Sequence, residues 1–381
     1  MTESVFQTRK LQEIYDEIKT LYQSDDRPWI LGFSGGKDST CMEQLVWNAI
    51  TQLEQEKRKK EIYIIGCDTL VESPKIVERL KNALADMQGQ AKEQQLPIST
   101  HMVKPNLGDT FWVLLLGKGY PAPSSQFRWC TERLKIKNAD RFILDTVSKF
   151  GEAIVLLGTR KDESQSRQQL MELYEIKGSL LNRHSKFAQT YMYCPLKDFL
   201  TDDVWNYLLQ NKNPWKGNNR DLLALYQEAN AAECPLVVDT STPSCGNSRF
   251  GCWTCTVVSR DKAMDGLLEG GEDWLEPLAE IRDELKRTQE PEVKLLVRDH
   301  KRRNGKVMFT WGGDDQTSSG PYTLEYRKEL IEKLLRAQVS VRKNGPDPNM
   351  DLILEDELHE IQRIWRMEQG DWQNSVYQIY K

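Results

Sequence analysis

A short apolar strand that turns on two glycines into an amphipathic helix constrains the fold of this chain more than any other feature. Trp29–Phe33 forms the strand pattern, Ser34–Gly36 is the turn, and apolar positions between Cys41 and Leu53 recur at three- and four-residue spacing. That spacing predicts a half-buried helix directly after the turn. Backbone N–H groups at a helix start lack helical partners and lie at the positive end of the helix dipole. The turn therefore predicts an anion-binding site.

The residue types of the turn also suit phosphate binding. Its glycines let the backbone approach an anion closely, a lysine adds a full positive charge, and two serines add hydroxyl donors. The turn does not fit a Walker loop, because four rather than five residues separate Gly32 from Lys37 and an aspartate follows the lysine. That aspartate, Asp38, can either hold Mg²⁺ or cap the helix. The candidate nucleotide-binding residues of the turn are Ser34, Gly35, Gly36, Lys37, Asp38 and Ser39.

Apolar stretches that alternate with helical patterns predict the rest of a sheet. The predicted strands are residues 62–67, 98–103, 153–158 and 191–196, and the predicted helices around them are residues 7–23, 73–95, 109–116 and 131–150. Strands that are apolar throughout indicate a doubly wound, mostly parallel sheet with helices on both faces. Ligands bind at the carboxyl edge of such sheets, where Asp68, Thr69, Gly158 and Arg160 fall. For Arg160 we favour phosphate contact over pairing with the carboxylates at positions 162 and 163.

Length and composition predict a globular α/β protein with a helical, loop-rich C-terminal region. The chain has 381 residues, of which 29% are charged and 39% are hydrophobic. After about residue 201 the pattern becomes helical, with helices predicted at 321–340 and 350–367. We predict a nucleotide-binding domain at 1–210, a cysteine-rich region at 211–260 and a helical region at 261–381.

Charge and hydropathy limit the surroundings in which this chain works. No apolar run reaches the roughly 18 residues of a membrane span, and the first residues lack a signal-peptide layout, so we expect a cytoplasmic protein without membrane contact. The net charge of −5 means that any nucleic-acid contact needs a local basic patch or a partner. Arg298–Lys306 is the strongest basic run. A solvated loop is the ordinary interpretation of such a run, and a DNA-backbone contact is the functional one.

Several segments resemble one known family. Ser34–Ser39 resembles the pyrophosphate loop of ATP pyrophosphatases, which adenylylate an oxygen and release pyrophosphate. Arg128–Lys135, Gly158–Ser164 and Pro195–Trp205 resemble segments of their phosphoadenylyl-sulfate-reductase-like branch. The resemblance implies an adenine nucleotide alpha hydrolase-like fold that binds ATP and Mg²⁺. The implied roles are catalysis by Lys37, Asp38 and Arg160, further ATP contacts by Asp68, Thr69 and Gly158, and phosphate or substrate contacts by Arg128 and Lys135.

Three other segments, Gly119–Pro123, Glu233–Thr240 and Ser244–Cys255, resemble the DndC-type and related SspD-type sulfurtransferases of DNA phosphorothioation. This resemblance implies adenylylation of a DNA backbone phosphate, followed by replacement of a non-bridging oxygen by sulfur. It implies as partners DNA, a cysteine desulfurase as sulfur donor, and other phosphorothioation proteins that include a DNA-binding ATPase. No cysteine follows Cys255, so we expect no sulfonucleotide reduction by a C-terminal cysteine. A cluster-dependent tRNA thiolation enzyme and a non-enzymatic nucleotide-binding scaffold are the alternatives.

Cysteine spacing predicts a metal centre. The chain has eight cysteines, too few for its length to indicate a disulfide scaffold. Two residues separate Cys252 from Cys255, and Cys245 lies on a loop with glycines that can fold back toward them. The family resemblance implies Cys130 as the fourth ligand, with Cys194 and Cys234 as substitutes. We predict that Cys130, Cys245, Cys252 and Cys255 bind a 4Fe-4S cluster, with zinc or no metal as the alternatives.

Overall fold

The structure is a computed structural model that describes residues 3–229, 251–307 and 319–380. The chain divides into two compact units. The first unit combines Met1–Asp68, Pro74–Val103 and Asn138–Phe250, and the second combines Thr69–Ser73, Lys104–Lys137 and Gly251–Lys381. The units are therefore interleaved along the chain. The division near residues 210 and 260 stays a prediction of the sequence.

The first unit is built on a six-stranded sheet. Its strands are β1 (Trp29–Gly32), β2 (Ile62–Cys67), β3 (Ile98–Val103), β4 (Ala153–Leu156), β5 (Asn182–Arg183) and β6 (Thr190–Tyr193). The order across the sheet is β3-β2-β1-β4-β6-β5, and all neighbours are parallel except β5 and β6. The doubly wound, mostly parallel sheet predicted from the apolar stretches is confirmed. The two-residue β5 was not predicted, because a strand this short carries no period that a sequence pattern can detect.

Helices complete the first unit on both faces of the sheet. They are α1 (Val5–Thr8), α2 (Leu11–Gln23), α3 (Lys37–Thr51), α4 (Pro74–Glu93), α5 (Lys137–Phe150), α6 (Gln165–Leu173), α7 (Thr201–Gln210) and α8 (Asn219–Ala229). Successive residues of β1 point into different hydrophobic clusters: Trp29 and Leu31 pack with α2, α3 and α7, whereas Ile30 packs with Ile143 of α5. This alternation buries both faces of the central strand, as its continuously apolar sequence predicts.

The second unit is helical over its described residues. It contains the π-helical turns Val113–Gly117 and Thr131–Ile136, followed by α9 (Lys262–Glu269), α10 (Glu276–Arg287), α11 (Pro291–Val297), α12 (Leu324–Asn344), α13 (Glu355–Gln369) and α14 (Ser375–Tyr380). Trp112, Leu334 and Trp365 are fully buried in its core. The predicted helical C-terminal region is thus confirmed. Among the described helices, none combines the length and the hydrophobicity needed to cross a membrane.

Candidate functional site

The turn between β1 and α3 has the backbone geometry of an anion site. Gly35 has a φ of +73°, a left-handed conformation that glycine adopts without steric cost. Gly36 is the N-cap of α3 and has no side chain that could cap the first helical N–H groups. The hydroxyls of Ser34 and Ser39 are 3.1 Å apart, and the Ser39 hydroxyl also accepts from the Ser34 N–H at 3.3 Å. The two predicted serines therefore brace the turn against each other.

The turn lies at the point where the sheet changes its direction of winding. The chain proceeds from β1 to β2 and β3 on one side, and β4 then pairs with the other side of β1. Ligands of open α/β sheets bind at such a switch point, beyond the carboxyl ends of the strands. Gly158 follows β4 there, and a Cβ added to it would lie 2.9 Å from the Asp38 carbonyl oxygen. The absence of a side chain at Gly158 is what lets β4 and the start of α3 approach each other.

A charge cluster links the predicted catalytic residues. The Arg160 guanidinium, only 1% exposed, donates from Nε to Asp38 Oδ1 at 2.8 Å. Lys37 Nζ lies 2.9 Å from the other carboxylate oxygen of the same aspartate. A second ion pair joins Arg160 to Asp162 at 3.2 Å. The structure thus brings Lys37, Asp38 and Arg160 together. The Arg160 guanidinium pairs with the carboxylates of Asp38 and Asp162, and Asp38 forms ion pairs while Gly36 is the N-cap of the helix.

Two predicted adenosine contacts are separated by the division of the chain. Asp68 directly follows β2 in the first unit, where it is buried and donates its backbone N–H to the Val103 carbonyl at 3.0 Å. Thr69 belongs to the second unit. Its hydroxyl lies 3.3 Å from the Cys252 sulfur and donates to Glu72 at 3.2 Å. Thr69 is therefore a neighbour of a predicted metal-ligand cysteine.

A cavity of about 500 Å³ lies beside the turn within the first unit. Gly35 and Thr40 line it from the turn and α3, Arg79 lines it from α4, and Trp215 lines it from the loop before α8. Its volume is in the range of small-molecule sites. Burial lowers the pKa of Arg79, which indicates a partly desolvated cation beside the anion-binding turn. The sequence did not single out Arg79, because one arginine in an amphipathic helix carries no motif.

Tyr226 of α8 is the second residue that sequence patterns did not single out. Its hydroxyl accepts the backbone N–H of Lys37 at 3.2 Å, and the Lys37 ammonium lies 5.6 Å from the centre of its ring. One of the N–H groups at the start of α3 is thus already bound by a neutral oxygen. An anion that uses this N–H has to displace the tyrosine hydroxyl.

Three of the four predicted cluster ligands, Cys130, Cys252 and Cys255, are described and lie in the second unit, whereas the substitute Cys194 is buried in the first unit. The backbone of Cys252 pairs with Glu72 in an isolated antiparallel bridge, and the Cys255 N–H donates to the Cys252 carbonyl at 3.0 Å, closing a tight turn. Burial raises the pKa of the Cys252 thiol, an effect that Glu72 and Cys130 reinforce and Lys135 opposes. Burial also raises the pKa of the Cys130 thiol, with Cys255 adding to it. These mutual effects place the three sulfurs in one electrostatic neighbourhood.

The donor set of this neighbourhood is incomplete within the described residues. Cys245, the predicted third ligand of the cysteine-rich loop, lies outside them, as does the substitute Cys234. Over residues 3–229, 251–307 and 319–380, no group of three or more histidine, cysteine or acidic side chains is arranged to hold a metal ion. The described cysteines alone therefore do not form a metal centre, and the cluster stays a prediction.

The predicted substrate-contacting cations have different surroundings. Lys135 pairs with Glu72 at 3.0 Å, which places its charge beside Cys252. Arg128 is exposed to solvent. In the predicted basic run, Arg298 follows α11, and its side chain donates to the Gly320 and Ser319 carbonyls at 2.7 Å each. This arginine is built into a loop junction and is more than a solvated surface charge.

Comparisons with known proteins agree with this architecture. A model of the phosphoadenosine phosphosulfate reductase domain family matches residues 28–258, more than half of the chain. An uncharacterized protein of Methanocaldococcus jannaschii is 26% identical over 198 residues, which is 52% of this chain and 35% of that protein. The chain thus spans about a third of the length of the curated relative it matches.

The solved structures to which this chain is similar are distant from it in sequence and give low TM-scores. Phosphoadenylyl-sulfate reductase from Candida auris, in a phosphate complex, is 16% identical with a TM-score of 0.36, covering 58% of this chain and 88% of that chain. The U34-tRNA thiolase NcsA from Methanococcus maripaludis with its 4Fe-4S cluster is 12% identical with a TM-score of 0.32, covering 74% and 80%. NAD+ synthetase from Burkholderia pseudomallei is 14% identical with a TM-score of 0.34, covering 75% and 91%.

Proposed function

The chain belongs to the phosphoadenosine phosphosulfate reductase domain family, and from this premise we propose that it is an ATP pyrophosphatase and sulfurtransferase that acts on the DNA backbone. The turn before α3 carries the ATP chemistry in this proposal. Its support is one observation: a glycine turn with Lys37 lies at the switch point of a doubly wound sheet, beside a cavity of about 500 Å³. A preorganised positive turn at this edge stabilises the charge that develops on a leaving pyrophosphate.

The proposed first step creates a leaving group on a DNA phosphate. A non-bridging phosphate oxygen attacks the α-phosphorus of ATP, and the bond from that phosphorus to the β-phosphate oxygen breaks. Lys37 and the N–H groups at the start of α3 hold the pyrophosphate as it leaves. Mg²⁺, when bound, neutralises phosphate charge, and Asp38 is the proposed residue that faces it.

In the proposed second step sulfur replaces the activated oxygen. Hydrosulfide attacks the DNA phosphorus, and AMP leaves with the oxygen that was adenylylated. A cysteine desulfurase supplies the sulfur as a persulfide, and a thiol reductant releases it as hydrosulfide. We propose that Cys130, Cys245, Cys252 and Cys255 together bind a 4Fe-4S cluster, and we assign no step to that cluster.

The charge of the chain supports a role for partners in this reaction. A net charge of −5 disfavours general attraction to DNA, so the substrate has to be held by a local site or delivered by another protein. We propose that a DNA-binding ATPase and other phosphorothioation proteins act in delivery.

Release of pyrophosphate tests the ATP half of the proposal. The measurement follows pyrophosphate from ATP with added DNA, RNA or no nucleic acid, for the parent protein and for Lys37→Ala. Lys57→Ala is the matched control, because Lys57 is an exposed lysine that pairs with the exposed carboxylate of Glu54 at 2.9 Å. We expect DNA-dependent release that Lys37→Ala removes and Lys57→Ala retains. RNA-dependent release would favour tRNA thiolation, and absence of release under every condition would favour a non-enzymatic scaffold.

Iron and acid-labile sulfide analysis tests the cysteine half. Protein purified without oxygen is expected to contain iron and acid-labile sulfide and to absorb at about 400 nm, and the Cys252→Ser variant is expected to lose both elements and the absorbance. Cys41→Ser is the control, because Cys41 is fully buried in the core of the first unit. If the protein contains zinc but no acid-labile sulfide, the cysteines form a structural zinc site and not an iron–sulfur cluster. If it contains neither iron nor zinc, the proposed metal centre is wrong.

A further inference from the structure

A cleft of about 690 Å³ in the second unit has a lining of one charge sign. One wall is the segment from Gly119 to Phe127, and the other walls come from residues 288–303 and 319–322. Among the residues that the structure describes, the charged ones that line it are Lys294, Arg298, Arg302 and Arg303, and none of the described lining residues is acidic. A concave surface with several cations and no carboxylate concentrates the field that attracts an anion.

Two of these four cations, Lys294 and Arg298, are not neutralised by a protein carboxylate. Over the residues that the structure describes, neither of them forms an ion pair, and no carboxylate is among the groups that shift their pKa values. The Arg298 guanidinium is held instead by the Gly320 and Ser319 carbonyls at 2.7 Å each. Backbone carbonyls are dipoles and leave the net charge of the arginine in place. Arg303 is the contrast, since Glu368 lies 2.7 Å from it in an exposed pair.

Aromatic side chains lie at the same cleft. Phe127 is 48% exposed, which is unusual for a phenylalanine, and it sits on a tight turn in which Ser124 and Phe127 exchange backbone hydrogen bonds at 3.2 and 3.1 Å. Tyr120 packs its ring edge-on against Trp129, with centroids 5.5 Å apart. A fixed turn thus presents an apolar ring beside several cations. This pairing of stacking surface and positive charge is how proteins bind unpaired nucleic-acid strands.

We infer that this cleft binds an unpaired polynucleotide segment. The backbone phosphates lie along Lys294, Arg298 and Arg302, and one base stacks on Phe127. A duplex keeps its bases stacked on each other and cannot offer one to Phe127, so the cleft selects single strands or locally opened ones. The inference deepens the proposed function and rests on it for the choice of a polynucleotide substrate. The nucleic-acid chemistry of the cleft is tested without ATP, so failure of binding and failure of pyrophosphate release are separate results.

The experiment measures fluorescence anisotropy of labelled oligonucleotides with the full chain over a series of salt concentrations. The probes are single-stranded DNA, single-stranded RNA of the same sequence, and the DNA duplex, with inorganic phosphate and AMP as competitors. Phe127→Ala is paired with Trp372→Ala, because Trp372 is an aromatic residue of the same unit that is 72% exposed and does not line the cleft. Lys294→Gln is paired with Lys262→Gln, whose lysine is exposed on α9 and also does not line it.

We expect Phe127→Ala to weaken single-strand binding by roughly 5- to 100-fold, the effect of losing one base–aromatic stack. Lys294→Gln is expected to weaken binding for all sequences and to reduce the salt slope by about one. Both control variants are expected to bind as the parent protein does. Tighter binding of single-stranded RNA than of single-stranded DNA would support the proposed binding site and identify RNA as its ligand. Equal binding of the duplex, equal losses in the controls, or full competition by phosphate or AMP would overturn the inference.

Discussion

A buried carboxyl group on α3 gives a sharp test of the first unit. Glu43 is 1% exposed, and neither of its carboxyl oxygens has a hydrogen-bond partner among the described residues. Burial raises the pKa of Glu43 well above its ordinary value of 4.5. Removing an unpaired carboxylate from water is costly, so the folded protein keeps the proton that the unfolded chain releases.

The sign of the pH effect follows from this difference in bound protons. Above the ordinary pKa of 4.5 the unfolded chain has lost the proton and the folded chain still holds it, so the free energy of unfolding falls as pH rises. Each pH unit costs about 1.4 kcal/mol while the folded state stays protonated. Between pH 5 and pH 7 the free energy of unfolding is therefore expected to fall as pH rises, by at most about 1.4 kcal/mol per pH unit from Glu43. Glu43→Gln has no proton to bind or release, so this loss is absent from the variant.

Urea unfolding at pH 5, 6 and 7 measures the effect for the parent protein, Glu43→Gln and the control Glu56→Gln. Glu56 is an exposed residue of the turn Gln55–Lys57, so its variant is expected to follow the parent curve. The parent protein and the Glu43→Gln variant have all other titrating groups in common, so the contributions of those groups to the pH dependence cancel when the two proteins are compared. The difference in the free energy of unfolding between Glu43→Gln and the parent protein should therefore grow in favour of the variant as the pH rises from 5 to 7, with about 1.4 kcal/mol per pH unit as the upper limit. Parallel curves would refute the reasoning, because they would mean that Glu43 is ionised or paired in the folded protein.

Three further predictions concern the two candidate sites. Gly158→Ala places a Cβ 2.9 Å from the Asp38 carbonyl, so we expect a loss of about 1–3 kcal/mol of stability in thermal unfolding together with weaker ATP binding. Tyr226→Phe removes the hydroxyl that occupies the Lys37 N–H, so calorimetry should show pyrophosphate binding up to roughly 5-fold tighter. Because burial raises the pKa of the Cys252 thiol, iron or zinc loading should be weaker at pH 6.5 than at pH 8.5.

Controls for these predictions come from the same chain. Gly89→Ala is the partner of the Gly158 variant, since a Cβ added at Gly89 within α4 meets nothing within 4 Å and should not destabilise the fold. Equal effects of both alanine substitutions would contradict the close approach of β4 and α3. Weaker pyrophosphate binding by Tyr226→Phe would show that the hydroxyl contacts the ligand. Metal loading that does not change with pH would mean that protonated Cys252 does not limit it.

The parts of the fold that the sequence predicts are those whose signal is local. β1, β2 and β4 are largely buried, and each is a continuous apolar run that is visible without a partner strand. The edge strand β3 is only partly buried and has a more polar sequence. The turn before α3 carries its own signal as well, because glycines, Lys37 and the following helix are consecutive in the chain. The switch point then follows from the alternation of strands and helices, and the prediction of a ligand edge follows from the switch point.

The parts that the sequence does not predict come from contacts between distant segments. Tyr226 reaches the Lys37 N–H across 189 residues, and Arg79 enters the cavity from another helix. Neither residue belongs to a spaced motif. The ion pair of Arg160 with Asp38 joins positions 122 residues apart, and it competes with the phosphate contact that the order of strands alone favours for Arg160. The roles of these residues depend on contacts between segments that are distant in the sequence, and the spacing of residues along the chain does not predict such contacts.

The charge cluster at the start of α3 gives a physical reason why Lys37 can serve a nucleotide. Asp38 offers one carboxylate oxygen to Arg160 at 2.8 Å and the other to Lys37 at 2.9 Å. Arg160 is 1% exposed and also contacts Asp162, so it is fixed in place. If a phosphate draws Lys37 away, Asp38 keeps the Arg160 partner and is not left as an unpaired charge, a state that costs several kcal/mol when it is buried. Lys37 can therefore exchange a carboxylate for a phosphate without breaking the pair that holds the loop to the end of β4.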